Sequence, residues 1–243
     1  MRRSSDGNPL LDFANRIPLT LLITAINLGI FILGWVRGGA TGMQVDSGVL
    51  LNLGASMRHL VQDGDYWRLL TAVFLHANWL HVLVNTVFMF SWCAAIERSV
   101  GAAWFAFAYL TTGIGSFAVS VLCKPGPSVG ASGAGFGMVA VTMAMLYRRE
   151  GTWDNFMANP FVRSIFAQAA FWLLAGFFFF RGIDHYAHAG GLVLGIFCGL
   201  ILERRRGRHE VKWMLSLGAY ILVWLGLVVV ACIPGMGFGQ LGD

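Results

Sequence analysis

Seven stretches of this chain run to roughly span length without a Lys, Arg, Asp or Glu: 18–36, a span within 69–96, 102–123, 128–147, 164–180, 185–202 and 213–232. About 20 apolar residues cross the hydrocarbon core of a bilayer. Lipid offers no partner to free backbone groups, so each crossing must be a helix. The predicted fold class is all-α, a polytopic membrane bundle of six core helices with a seventh at the C-terminal end. Stretch 69–96 is too long for one simple span, so its first part is expected to be a loop leading into the membrane. The segment 37–68 breaks the pattern. Leu50, Leu51, Leu53, Met57 and Leu60 alternate there with polar positions, and Asp63-Gly64-Asp65-Tyr66-Trp67-Arg68 follows. This mixture predicts short amphipathic helices at the membrane interface, in a loop long enough to suggest a functional role.

Composition sharpens the membrane assignment. The 243 residues are 57% hydrophobic and only 12% charged, against about 25% charged in a typical soluble domain. Fourteen per cent aromatics, with nine Trp, suits a chain that crosses two interfaces. The net charge of +5 reads as topology. With the N-terminus in the cytoplasm, twelve of the seventeen basic residues fall on inside segments, and Arg37, Arg58, Arg68, Lys124 and Arg181 fall outside. That is the positive-inside asymmetry, and it leaves the C-terminus outside. The basic run 203–212 suits anionic lipid headgroups and needs no nucleic acid to explain it. The organisation that follows is a short cytoplasmic N-terminus (1–15), a core (16–205) containing the outer loop 37–68, and a basic loop, seventh span and short outer tail (206–243).

Cys93, Cys123, Cys198 and Cys232 lie in or at the ends of apolar runs without CxxC spacing, as small core residues do. The first apolar run has full spanning length and no small-residue cleavage site, unlike a cleavable signal. Short termini and no transit peptide point to a bacterial cytoplasmic membrane.

Polar side chains inside spans are costly and mark function by default. Three groups qualify. Gly130-Ala131-Ser132-Gly133 opens the fourth span, with Gly137 four residues on. Ser132 reads either as a helix cap or as a nucleophile at a helix N-terminus, where free N–H groups suit an oxyanion. Asp184-His185-Tyr186-Ala187-His188 opens the sixth span, and Ala187, Gly191, Gly195 and Gly199 then recur every four residues. That stripe is shaped to press against Gly133 and Gly137, which brings His188 within reach of Ser132. A packed histidine and a metal pair with His185 are the other readings. His81 and Asn85, four apart, share a face of the second span, as interhelical hydrogen-bonding groups or as oxyanion donors. His76 falls in the entry loop and is assigned no chemistry. Spans two, four and six all run inward from the outer face, so Ser132, His188, His81 and Asn85 share one depth. A nucleophile, a base and donors at one level suit acyl transfer.

These residues resemble the rhomboid family of intramembrane serine proteases. The resemblance rests on Trp67-Arg68, His81 to Asn85, Gly130 to Gly133, Ala187 to Gly195 and the Glu97-Arg98 pair, and covers about residues 15 to 205. It implies Ser132 as nucleophile and His188 as general base, a dyad without an Asp. It further implies an oxyanion site around His81, Asn85, Gly130 and the Ser132 N–H, with Phe136, Gly133, Gly191, Trp67 and Arg68 in support. Phe136 stands where many relatives carry Tyr, keeping the ring and losing the hydroxyl. Implied substrates are single-pass transmembrane proteins. No metal, cofactor or obligatory partner is implied beyond membrane lipid. The rival readings are an inactive rhomboid-like protein that binds membrane clients, which typically lacks the Ser or the His, and a transporter, whose inverted symmetry is not evident here.

Overall fold

A computed structural model describes residues 9–179, 183–205 and 210–233. In chain order the helices are α1 (Pro9–Ala14), α2 (Pro18–Arg37), α3 (Ser47–Asn52), α4 (Arg58–Gln62), α5 (Arg68–Thr71), α6 (Trp79–Phe88), α7 (Ala94–Val100), α8 (Ala102–Cys123), α9 (Ser132–Glu150), α10 (Trp153–Ala158), α11 (Pro160–Phe179), α12 (His185–Arg205) and α13 (Glu210–Cys232). A π-helical turn, Met89–Cys93, joins α6 to α7 into one continuous crossing. The first part of 69–96 is the expected entry segment, made of α5, the 3-10 turn Ala72–Phe74 and a short loop. The chain is an integral membrane protein of the helical-bundle class. Among the described residues, α2, α6–α7, α8 and α12 are long and apolar enough to cross a bilayer on composition alone. Of the basic and tail positions used for topology, Arg2, Arg3, Arg181, Arg206, Arg208 and 234–243 lie outside the described residues.

α9 departs from its sequence pattern in two ways. It begins at Ser132 rather than at 128, because Ser128 is bridged to the outer loop: Ser56 and Ser128 exchange two backbone hydrogen bonds of 3.0 and 2.8 Å. Its composition is also less apolar than that of a lipid-facing span, rich in glycine and closing on Arg148, Arg149 and Glu150. It tolerates this because protein surrounds it, and every residue from Gly133 to Val141 is buried. Glycine lets α12 approach it closely. A Cβ on Gly191 would overlap the Gly133 carbonyl oxygen, one on Gly195 the Gly137 carbonyl oxygen, and one on Gly199 would press on Val141. Such backbone contact between helices is what small residues permit in membranes, where apolar burial gives no driving force. α13 docks on α8: Tyr220 donates to Thr111 Oγ1 (3.1 Å) and Trp224 Nε1 to the Thr111 carbonyl (2.8 Å).

The outer loop carries short helices, α3 and α4, as expected, and they are packed into a brace. Asp46 caps α3, accepting from the N–H groups of Gly48 (2.8 Å) and Val49 (3.1 Å), a contribution of about 1 kcal/mol. Arg58 and Arg68, both outer-face charges by sequence, are buried. Arg58 serves the free carbonyls at the end of α8, donating to Val121 (2.7 Å) and Leu122 (3.0 Å), as a C-terminal cation should. Arg68 donates to Leu51 (2.6 Å) and Ala55 (3.2 Å) and pairs with Asp65 at 2.8 Å. That hydrogen bond holds the Asp65 carboxyl below its usual range. Gly54, at φ +103°, is the residue over which Trp67 and Thr71 close, and a Cβ there would collide with both. On the opposite side, buried Glu97 accepts from Leu19 and Thr20 N–H at 2.8 Å each. It thereby caps the first turn of α2, where a negative charge is favoured.

Candidate active site

Ser132 is the first residue of α9, and Ala131 is the cap, with no side-chain capping bond. The serine hydroxyl is therefore not consumed as a helix cap. It faces His188 on the first turn of α12, with Ser132 Oγ and His188 Nε2 2.7 Å apart. For Nε2 to accept the hydroxyl proton, the ring proton must sit on Nδ1. Nδ1 is buried and has no partner among the described residues. Phe136, one turn after Ser132, covers the imidazole at a centroid distance of 4.5 Å and 42° between planes. The contact is tilted rather than a parallel stack.

The first-turn N–H groups of α9 point back toward the serine, as at any helix start. His81 and Asn85 reach the same place from α6. Gly130, at φ +133°, leaves the space the His81 ring fills: a Cβ there would lie 2.7 Å from His81 Nε2 and 3.7 Å from Ser132 Oγ. Its own N–H donates to the Ala72 carbonyl (2.9 Å). Its contribution is space. Asn85 is buried, and its side-chain amide donates to the His81 carbonyl at 2.9 Å, which leaves its second N–H available. Ser132, His188, His81 and Asn85 all line one cavity of about 270 Å³. Phe88, Phe117 and Trp172 supply apolar wall.

The structure thus brings together Ser132, His188, His81, Asn85, Gly130, Gly133 and Phe136, with Gly191 directly behind Gly133. Trp67 and Arg68 are not at the cavity. The Arg68 guanidinium lies 4.6 Å over the Trp67 ring, in the outer brace. His76, assigned no chemistry from sequence, is buried edge-on to His81 with centroids 5.1 Å apart. Burial pushes its pKa well down and His81 pushes it further. Asp184 also escaped the sequence reading. It lines the cavity and bonds to Ser120, Ser128 and the Ala187 N–H. The cap pattern at Asp184 was legible, since Asp before an apolar helix is an N-terminal signal. Its two serine partners, 64 and 56 residues away in sequence, were not. Among the described residues, no three His, Cys, Asp or Glu side chains are grouped as a metal site.

Residues 63–205 match the family model of the Rhomboid domain. The chain is 30% identical over 217 residues to Rhomboid protease GluP of Bacillus subtilis, covering 89% of this chain and 41% of that protein. It is 31% identical over 192 residues to Rhomboid-like protease 1 of Toxoplasma gondii, covering 76% of this chain and 64% of the relative. It is 34% identical over 152 residues to Putative rhomboid protease YdcA of Bacillus subtilis, covering 60% of this chain and 73% of the relative. The aligned region therefore spans less than two thirds of the first two relatives.

Proposed function

The chain belongs to the rhomboid family, and from that premise we propose that it is an intramembrane serine protease working through Ser132 and His188. The observation that carries this reading is the 2.7 Å contact between the serine hydroxyl and the imidazole, made between two helices whose glycines hold them in backbone contact. The substrates are single-pass membrane proteins whose helix unwinds locally to present a carbonyl. Ser132 Oγ attacks the carbonyl carbon and its proton passes to His188 Nε2. The developing oxyanion takes hydrogen bonds from the Ser132 N–H, the Asn85 amide and the His81 ring. Collapse breaks the C–N bond, His188 returns the proton to the leaving amine, and an acyl-enzyme remains. Water then attacks the ester, with His188 again as base, and releases the acid and Ser132. The test is labelling with a fluorophosphonate probe, which requires an activated serine. Labelling of the wild-type chain at Ser132 is expected, and an unlabelled protein would leave a client-binding role in its place.

Asn85→Ala is expected to slow turnover by roughly 10- to 1000-fold with KM nearly unchanged, as for one lost oxyanion donor. Steady-state cleavage of a model single-pass substrate reads this, and a change confined to KM would remove Asn85 from the oxyanion site.

We further place the N-terminus in the cytoplasm and the C-terminus outside on the charge asymmetry of the sequence. A reporter active only in the cytoplasm should be silent when fused after Asp243 and bright when fused at Gly207. A bright Asp243 fusion would mean that α13 does not cross.

A further inference from the structure

The proposed chemistry needs Ser132 on α9 and His188 on α12 in register to within a few tenths of an ångström. A catalytic base is commonly oriented by a third group behind it. Here nothing stands behind His188, because Nδ1 is buried without a partner among the described residues. The ring must therefore be aimed by where its helix sits. Phe136 limits the tilt of the ring, and the glycine contacts set how closely α12 lies on α9; its position along the axis needs a tie of its own.

Asp184 supplies that missing constraint. It occupies the cap position of α12, where its Oδ1 accepts the Ala187 N–H (3.0 Å) and its carbonyl accepts the His188 N–H (3.2 Å). A cap needs no more than this. The second oxygen, Oδ2, accepts the hydroxyl of Ser128 (2.6 Å) and that of Ser120. Ser120 lies in the last turn of α8, and Ser128 lies in the connection to α9, four residues before Ser132. Ser128 is itself paired through its backbone with Ser56 of the outer brace. One carboxyl group therefore joins the first turn of the histidine helix to both ends of the connection that delivers the serine. Asp184, Ser120 and Ser128 are all buried, where such hydrogen bonds are strong and costly to leave unmade. A Ser or Thr would cap α12 as well, but has no second arm to reach across.

We propose that Asp184 is a positioning residue for the reaction, fixing the axial register of His188 against Ser132 by bonding at once to α12, α8 and the segment leading into α9. This rests on the Ser132–His188 reading above. Asp184 touches neither the reacting atoms nor Nδ1, so it acts through the backbone.

The experiment is the rate of fluorophosphonate labelling of Ser132 in the full-length protein in bilayers, measured beside the unfolding temperature. Asp184→Ala is expected to slow labelling by about 100-fold, the scale of a misplacement near 1 Å. Asp184→Asn retains an acceptor for Ala187 and an amide for the serine hydroxyls, so it should label within about 5-fold of wild type, the scale of one retained neutral hydrogen bond against a charged one. Ser128→Ala, the milder variant if Asp184→Ala folds poorly, should slow labelling by about 5- to 10-fold. Adding Ser128→Ala to Asp184→Ala should cost little more, since both remove one tie. Trp224→Ala, which loosens α13 on α8 outside the cavity lining, should lower the unfolding temperature and leave labelling unchanged. Asp184→Ala labelling at the wild-type rate, or Asp184→Asn as slow as Asp184→Ala, would overturn the inference and leave the protease reading intact. Failure of the wild-type chain to label would overturn that reading, and this inference with it.

Discussion

Ser132→Ala and His188→Ala are each expected to lower cleavage of a model single-pass substrate by at least about 10⁴-fold, with the double variant no slower than either alone. The size follows from what each loss removes. Without the hydroxyl no acyl-enzyme forms. Without the imidazole the hydroxyl is a poor nucleophile in a cavity walled by Phe88, Phe117 and Trp172, with no other base hydrogen-bonded to it among the described residues. The equality of single and double variants follows from the two atoms being partners in one proton transfer at 2.7 Å. Steady-state cleavage of the three variants at matched unfolding temperature decides the matter. Losses that multiply in the double variant would show two independent contributions and sink the dyad. Each single variant has little else to lose: Ser132 makes no capping bond, and the hydrogen bond the His188 ring makes among the described residues is the one to Ser132 itself.

Gly191→Ala is expected to lower activity by about 100-fold or more without touching a catalytic atom, and Gly191→Val further still. The Cβ of even an alanine would overlap the Gly133 carbonyl oxygen and lie 2.9 Å from the Gly133 carbonyl carbon. Backbone cannot rotate aside as a flexible side chain would, so α12 and α9 must part at the level of Ser132. A displacement near 1 Å costs on the order of 100-fold in rate, and the overpacking costs about 1–3 kcal/mol of stability besides. Gly226→Ala is the control, because nothing lies within 4 Å of a Cβ at that position. It should cleave and melt as wild type. Full activity in Gly191→Ala would mean that the α9–α12 spacing is not what aligns the pair.

The bilayer explains why so much of this fold could be read in one dimension. Lipid requires each crossing to be a helix, so the apolar runs 102–123 and 185–202 set both the type and the start of α8 and α12 directly. The shared level is equally legible: alternating crossings lead one to expect His81, Asn85, Ser132 and His188 at one end of their helices, and all four line one cavity. Small-residue spacing even pointed to the right neighbours, since Gly191 and Gly195 face the carbonyls of Gly133 and Gly137. Other features depended on lateral packing, which no run of residues encodes. α9 starts four residues late because Ser128 pairs with Ser56, more than 70 residues earlier in the chain. Arg58 and Arg68 looked like outer-face charges, and the structure buries both against carbonyls of α8 and of the outer brace. The resemblance put Gly130 at the oxyanion site, and only the fold shows that its N–H goes to Ala72. Asp184 was given no role from the sequence, and only the fold brings Ser120 and Ser128 to its second oxygen. The sequence determined helix, depth and face, because the membrane constrains each span separately. Which side chains meet across the bundle was decided by all the helices packing together.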